Sequence, residues 1–267
     1  MNKNIVKITY AEPWLPFHHR LFINIVETCS ARIALKKRYE TYTDKVKDKK
    51  GNALWDQAIE SLGIIKPNFL LPEKNKKRGL VIAANHPFGV TDGVFLAWIA
   101  SRIDPKFKVI AHGILQKEPS LAHSILPIDF SNSKNAMRNN VLVRRKAIEI
   151  LKKNGVIAIF PAGAVAWSRR KGQPVQEEIW KPMLGKIINS SKCDFLLTKF
   201  EGSNSNLFQV ASRIHQTVKQ SLYLYEIKKS LDKPINFKVC KYYKNEELPY
   251  LDDKSLSLFL QNEVEKY

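Results

Sequence analysis

Five consecutive apolar residues, Leu80–Ala84, stop abruptly at Asn85-His86-Pro87-Phe88-Gly89, and this junction constrains the fold more than any other stretch. A short run without polar alternation fits a strand buried on both faces, the habit of parallel sheets covered by helices. Pro87 disfavours a helical conformation at His86, and Gly89 frees the turn. Thr91 is placed to cap a helix carried by Val94, Phe95, Ala97, Trp98 and Ile99. Asp92 then falls in the first helical turn, where the helix dipole favours a carboxylate. His86 thus stands on a strand-to-helix loop with an acid able to fold back toward it. A general base and its orienting acid need that arrangement. The plainer alternative is a satisfied loop histidine beside a helix-capping aspartate.

The stretch 155–163, Gly-Val-Ile-Ala-Ile-Phe-Pro-Ala-Gly, repeats the logic: a buried β-branched strand running into a Pro/Gly turn. Further strands are predicted at 107–111, 125–130, 194–200 and, as an edge, 235–243. Helical periodicity separates them at 141–153, 206–230 and 255–265, with another helix starting at Trp180 and Lys181. This strand–helix–strand rhythm predicts an α/β fold: a mixed, largely parallel central sheet flanked by helices. Residues 1–72 form an N-terminal helical element, with helices at 17–37 and 53–62. Residues 73–267 form the α/β domain.

With both stretches in view, the chain resembles the glycerolipid acyltransferase superfamily, that of the lysophosphatidic acid acyltransferases. The likeness is greatest to its bacterial hemolysin-like branch. The superfamily's first block, Asn-His-x(4)-Asp, is met by Asn85-His86-Pro87-Phe88-Gly89-Val90-Thr91-Asp92 with one more intervening residue. The branch is similar in its His-Pro-x-Gly-x-x-Asp-Gly form. The third block, Phe-Pro-Glu-Gly, reads Phe160-Pro161-Ala162-Gly163, with Ala162 where the family carries an acid that helps bind the acceptor. The last block, a strand ending in glycine, matches 195–205 around Gly202. The second block usually supplies an Arg for the acceptor's phosphate. Here 112–119 has no Arg; Lys117 is the nearest cation and His112 another polar group.

The resemblance implies transfer of a fatty acyl group from a thioester to a hydroxyl or amine. His86 would take the acceptor's proton, and Asp92 would hold the imidazole, with no enzyme nucleophile. Asn85, Pro87, Gly89, Phe160, Pro161, Gly163 and Gly202 would shape the substrate site, with backbone N–H groups near Gly89 or Gly163 as oxyanion donors. Arg169 and Arg170 either hold the donor's phosphates or are exposed loop cations. Acyl-CoA or acyl carrier protein would be a co-substrate; no cofactor and no metal is expected.

Net charge is +19, from 44 Lys and Arg against 25 Asp and Glu. Such a surface attracts polyanions, whether nucleic acid, an anionic bilayer or a phosphate-bearing acyl donor. The basic runs lack interleaved aromatics and any recognisable RNA motif, so nucleic acid is not the expected partner. A catalytically silent lipid-binding relative is the other rival, set against the presence of both His86 and Asp92. Neither a Gly-x-Ser-x-Gly elbow nor a Walker loop occurs. No apolar run reaches the roughly 18 residues of a membrane span, no signal peptide is apparent, and the three cysteines are sparse. The expected setting is cytoplasmic, peripheral on the inner face of a membrane, with an anionic surface and a lipid acceptor as partners. In the helix at 17–37, Phe22, Ile25, Val26, Cys29 and Ile33 make an apolar stripe between basic ends. The stripe either covers the catalytic core or touches lipid, and both hold if one side packs while the helix ends meet the membrane.

Overall fold

A computed structural model describes residues 9–129 and 133–267. The chain opens with α1 (Phe17–Glu27), a π-helical turn (Thr28–Arg32), α2 (Ile33–Lys45) and α3 (Asn52–Leu62). Then come β1 (Leu80–Ala84), α4 (Val90–Ile103), β2 (Lys108–His112), the short α5 (Pro119–Ala122), β3 (Ile125–Ile128), α6 (Lys134–Lys152) and β4 (Val156–Ile159). The second half holds α7 (Met183–Ser191), β5 (Asp194–Glu201), α8 (Asn206–Ile214), α9 (Gln216–Ser221), α10 (Tyr223–Ser230), β6 (Asn236–Tyr243) and α11 (Asp253–Glu265).

The strands form one sheet in the order β3-β2-β4-β1-β5-β6. The first five are mutually parallel, and β6 closes the edge antiparallel to β5. β1 is buried along its whole length because helices cover both sheet faces. Leu80, Ile82 and Ala84 face a core shared with α3, α4 and Phe237. Val81 and Ala83 face a second core under α6, α7 and α11. The expected α/β architecture is therefore present, and it places the three motif-bearing strands side by side. β1 lies between β4 and β5, so the loops after all three leave the same edge, where ligands meet open α/β sheets.

Several element boundaries differ from the sequence expectation. The first helix does not stop at residue 37; the π turn lets it continue to Lys45. α6 starts at Lys134, a full turn and more before residue 141, because Ser133 caps it by accepting from Ala136 N at 3.0 Å. The predicted helix over 206–230 is three helices. His215 is extended (φ −165°, ψ 148°) and its ring Nδ1 caps α9 at Thr217 N, 3.1 Å. Trp180 and Lys181 precede α7, which starts at Met183. Thr91 is not a cap either: Gly89 precedes α4 with φ 96°, and Thr91 Oγ1 pairs with Ser230 Oγ at 2.8 Å. Residue 130, the predicted end of the third strand, lies outside the described residues.

Helix α1 also turns most of its predicted stripe outward, and of that stripe only Val26 packs inward, partly buried against the cluster of Val165 and Phe208. Ile23 and Glu27 are its buried positions, one turn apart, while Phe17, Leu21, Phe22, Ile25 and the later Ile33 are exposed. Glu27 fixes that orientation by accepting from Thr9 Oγ1 at 2.6 Å, Tyr10 N at 2.8 Å and Arg32 at 2.5 Å.

Candidate active site

His86 emerges where β1 ends, and the end of that strand is clasped to β5. Asn85 Nδ2 donates to Phe200 O at 2.8 Å, and Phe200 N donates to Asn85 Oδ1 at 2.7 Å. An asparagine offers both a donor and an acceptor, so it can close this two-bond ring where the regular ladder stops. Asn85 is thus fully engaged with backbone. Pro87 is buried behind it.

Asp92, wholly buried in the first turn of α4, turns back toward the loop. Its Oδ2 accepts from Phe88 N at 2.8 Å, and its Oδ1 lies 3.2 Å from His86 Nδ1. Neither Asp92 Oδ1 nor His86 Nδ1 has another hydrogen-bond partner among the described residues, and their contact is close without being aligned as a hydrogen bond. Such contacts tighten when substrate arrives. With Nδ1 turned to the carboxylate, Nε2 is the ring nitrogen left for chemistry. The imidazole stacks on Phe160 (centroids 4.0 Å apart, planes 23°), which brings the first and third motif blocks together.

The segment after β4 pins the backbone of His86 on both sides. Ala166 N donates to His86 O at 2.8 Å, and His86 N donates to Glu177 Oε1 at 2.5 Å. Glu177 Oε2 accepts from Trp180 Nε1 at 2.9 Å. Burial pushes the Glu177 carboxyl up to about 7, against the opposing pull of these hydrogen bonds and of His86. Glu177 lies in a motif-free loop, Pro-Val-Gln-Glu-Glu, and nothing in the sequence signals that it reaches His86.

Gly202 and Gly89 shape this edge through backbone conformation. Gly202 has φ 119°, and a Cβ there would sit 2.8 Å from Phe88 Cζ. It makes room for the ring of the residue whose N–H holds Asp92. Gly163 has φ 72°, but its N–H already donates to Phe160 O at 3.1 Å. That turn takes it out of the pool of oxyanion donors. The first turn of α4 has no side-chain cap, so the first N–H groups after Gly89 meet no capping side chain.

His86 opens into a cavity of about 980 Å³. Gly89, Val90, Gly93, Phe160 and Gly163 line it with His86, and Leu35, Tyr39, Ala97, Val109 and Ile125 are among its largely apolar walls. Volume and lining suit a long apolar ligand. His112 lines it too, its imidazole pushed down mainly by burial. Asn85, Pro87, Pro161 and Gly202 are not among its lining residues, and neither are the predicted cations Lys117, Arg169 and Arg170. Lys117 is paired with Glu12 at 3.2 Å, Arg169 with Glu178 at 2.9 Å, and Arg170 is exposed on the loop. The loop-cation alternative describes the two arginines. Lys219, on a helix sequence reading did not separate, lines the cavity instead.

Comparisons with known proteins bear on the family of the chain. The model of the family described as Acyltransferase matches residues 70–229. The chain is 27% identical over 197 residues to a lyso-glycine lipid O-acyltransferase of Bacteroides thetaiotaomicron, a match covering 72% of this chain and 69% of that relative. Its fold is similar to the crystal structure of PlsC, the 1-acyl-sn-glycerophosphate acyltransferase of Thermotoga maritima. The TM-score is 0.52 at 15% identity, over 92% of this chain and 86% of that one. A family match spanning the His86–Asp92 loop, the 160–163 turn and the strand at Gly202 makes this chain a member of the acyltransferase family, an enzyme of the glycerolipid acyltransferase superfamily.

Proposed function

We propose that this acyltransferase moves a fatty acyl group from acyl-CoA or acyl carrier protein to a hydroxyl of a lysolipid at an anionic membrane surface. The observation that carries the reading is the pairing of partly exposed His86 with buried Asp92, 3.2 Å apart, beside a largely apolar cavity. Nε2 of His86 takes the acceptor's proton as its oxygen attacks the thioester carbonyl. Asp92 holds the ring and favours the imidazolium that forms. N–H groups of the first turn of α4 stabilise the tetrahedral oxyanion. Collapse breaks the C–S bond, and the imidazolium returns its proton to the departing thiolate. The products are an acyl ester and a free thiol.

The O-acylation named for the Bacteroides relative supports a hydroxyl rather than an amine as the acceptor. The cavity supplies the acyl chain's binding energy, so its apolar walls and not a cationic clamp hold the long part of the substrate. A membrane position rests on α1. Phe17 is 75% exposed, with Trp14, Leu21 and Ile25 also exposed, and α9 packs between α1 and α8, whose Val210 and Ile214 are exposed too. Exposed apolar side chains on a chain of net charge +19 suit insertion into an anionic bilayer. No helix among the described residues is long and apolar enough to cross one.

The donor is tested by incubating the enzyme with a lysolipid panel and either isotopically labelled palmitoyl-CoA or palmitoyl-acyl carrier protein, and identifying products by mass. Label in a diacyl product with one equivalent of thiol released is the expected result. Thiol release with label only in free fatty acid would replace acyl transfer by hydrolysis.

A further inference from the structure

Four Lys and Arg side chains line the cavity among the described residues: Arg32, Lys36, Arg38 and Lys219. Three of them already face carboxylates. Arg32 meets Glu27 at 2.5 Å, Lys36 lies 3.9 Å from Glu40, and Arg38 pairs with Asp232. Lys219 differs. It is 6% exposed and makes no ion pair among the described residues. Its Nζ donates to Val165 O at 3.2 Å, leaving two of its three N–H groups, and lies 5.5 Å from the Trp167 ring centroid and 5.7 Å from that of Phe208. Glu178, the acid nearest in effect, is engaged by Arg169.

A buried ammonium without a counter-ion is costly to keep. Desolvation lowers the Lys219 pKa to about 8, which still leaves it mostly charged at neutral pH. Its place in the cavity is specific. Val165, which accepts its proton, is followed by Ala166, whose N–H holds His86 O. One short backbone segment therefore links the lysine to His86. Ser212, Gln216 and Gln220 line the cavity beside it and offer further polar atoms.

We propose that Lys219 is the binding residue for the anionic headgroup, phosphate or carboxylate, of the lysolipid acceptor. The proposal rests on the acyl-transfer reading above and names the acceptor class for the same site. An acceptor's headgroup anion is only a few bonds from the hydroxyl that reacts. The nearest phosphate of a pantetheine thioester is a whole arm away from the reacting carbonyl. An anion bound near His86 therefore belongs to the acceptor. The assignment also supplies a cation for the acceptor where the second block carries no Arg.

The test has two readouts on the full chain. In the first, lysophosphatidic acid, an N-acylglycine and uncharged monoacylglycerol are titrated while tryptophan fluorescence is followed, with Trp167→Phe identifying the Trp167 signal. Saturable binding of the two anionic lipids, weakened about tenfold or more in Lys219→Met and largely recovered in Lys219→Arg, is expected. In the second, kcat/KM is measured for lysophosphatidic acid over monoacylglycerol. The ratio should fall by the same factor in Lys219→Met, through acceptor KM. An unchanged ratio and unchanged binding in a folded Lys219→Met protein would overturn the proposal. A rise confined to the KM of acyl-CoA or acyl carrier protein would overturn it too, by giving the anion to the donor. Anion binding by wild type without any acyl transfer would leave the lysine's role standing and defeat the reading it rests on.

Discussion

Glu177 Oε1 accepts the backbone N–H of His86 at 2.5 Å, while its Oε2 holds the indole of Trp180 at 2.9 Å. A half-buried acid thereby fixes the backbone from which the His86 imidazole projects. Burial raises its carboxyl from the ordinary 4.5 to about 7. The folded protein thus keeps a proton that the unfolded chain has already released between those values. Stability from this group is present below the unfolded value and is lost as pH rises through about 7. Urea titrations from pH 5 to pH 8 should show a fall of about 1–3 kcal/mol that Glu177→Gln removes. An equal fall in both proteins would place the proton elsewhere.

Gly202→Ala should be costly for two separable reasons. Its φ of 119° strains any L side chain, and the new Cβ would meet Phe88 Cζ at 2.8 Å. A loss of about 1–3 kcal/mol is expected from the backbone alone. Phe88→Ala in the same chain should relieve the steric part and leave the conformational part, so the double-mutant cycle is non-additive. Since Phe88 N–H holds Asp92, kcat should fall in Gly202→Ala as well. Additive stabilities would show that the ring moves aside freely.

Lys219 provides a test in which a binding role and a structural role have opposite signs. A base whose folded pKa is lowered to about 8 destabilises the fold at pH 7, where the buried group is charged. Between about 8 and its unfolded value near 10.4 the unfolded chain binds more protons, so stability rises with pH. Lys219→Met should therefore be more stable than wild type by about 1–3 kcal/mol at pH 7, with the gap closing toward pH 10. A functional charge held against stability behaves this way. A lysine needed only for its bond to Val165 O would give a less stable Met variant at every pH.

Exposed apolar positions on α1 should matter for lipid binding and not for folding. Phe17→Ser with Leu21→Ser and Ile25→Ser removes three exposed side chains. Each change should leave stability within about 0.5 kcal/mol. Sedimentation with vesicles containing phosphatidylglycerol should fall sharply. Undiminished sedimentation would shift membrane contact to the basic surface alone.

The sheet was legible because its two central strands, β1 and β4, are unbroken apolar runs bounded by Gly, Pro and Asn. The His86–Asp92 pairing was legible because a strand, a proline turn and a helix start fall within thirteen residues, Leu80 to Asp92. Contacts made by residues without a pattern were not. Glu177 reaches His86 from a loop, and Lys219 sits beside Val218 in a periodic run that reads as one helix until His215 breaks it. The outward turn of the α1 stripe was hidden as well. Buried Glu27, with its partners Thr9, Tyr10 and Arg32, decides which side faces in, and periodicity ranks a glutamate as surface. Lys117 and Arg169 look like phosphate ligands by position, yet Glu12 and Glu178 already hold them.

The most direct test of the central claim compares wild type with His86→Ala for transfer of a labelled acyl group into lysolipid, with circular dichroism and melting showing both proteins folded. Loss of a general base should lower the rate about 100- to 10,000-fold while leaving lysolipid binding in place. Transfer in the folded variant at a rate near that of wild type would remove His86 as the base and contradict the mechanism.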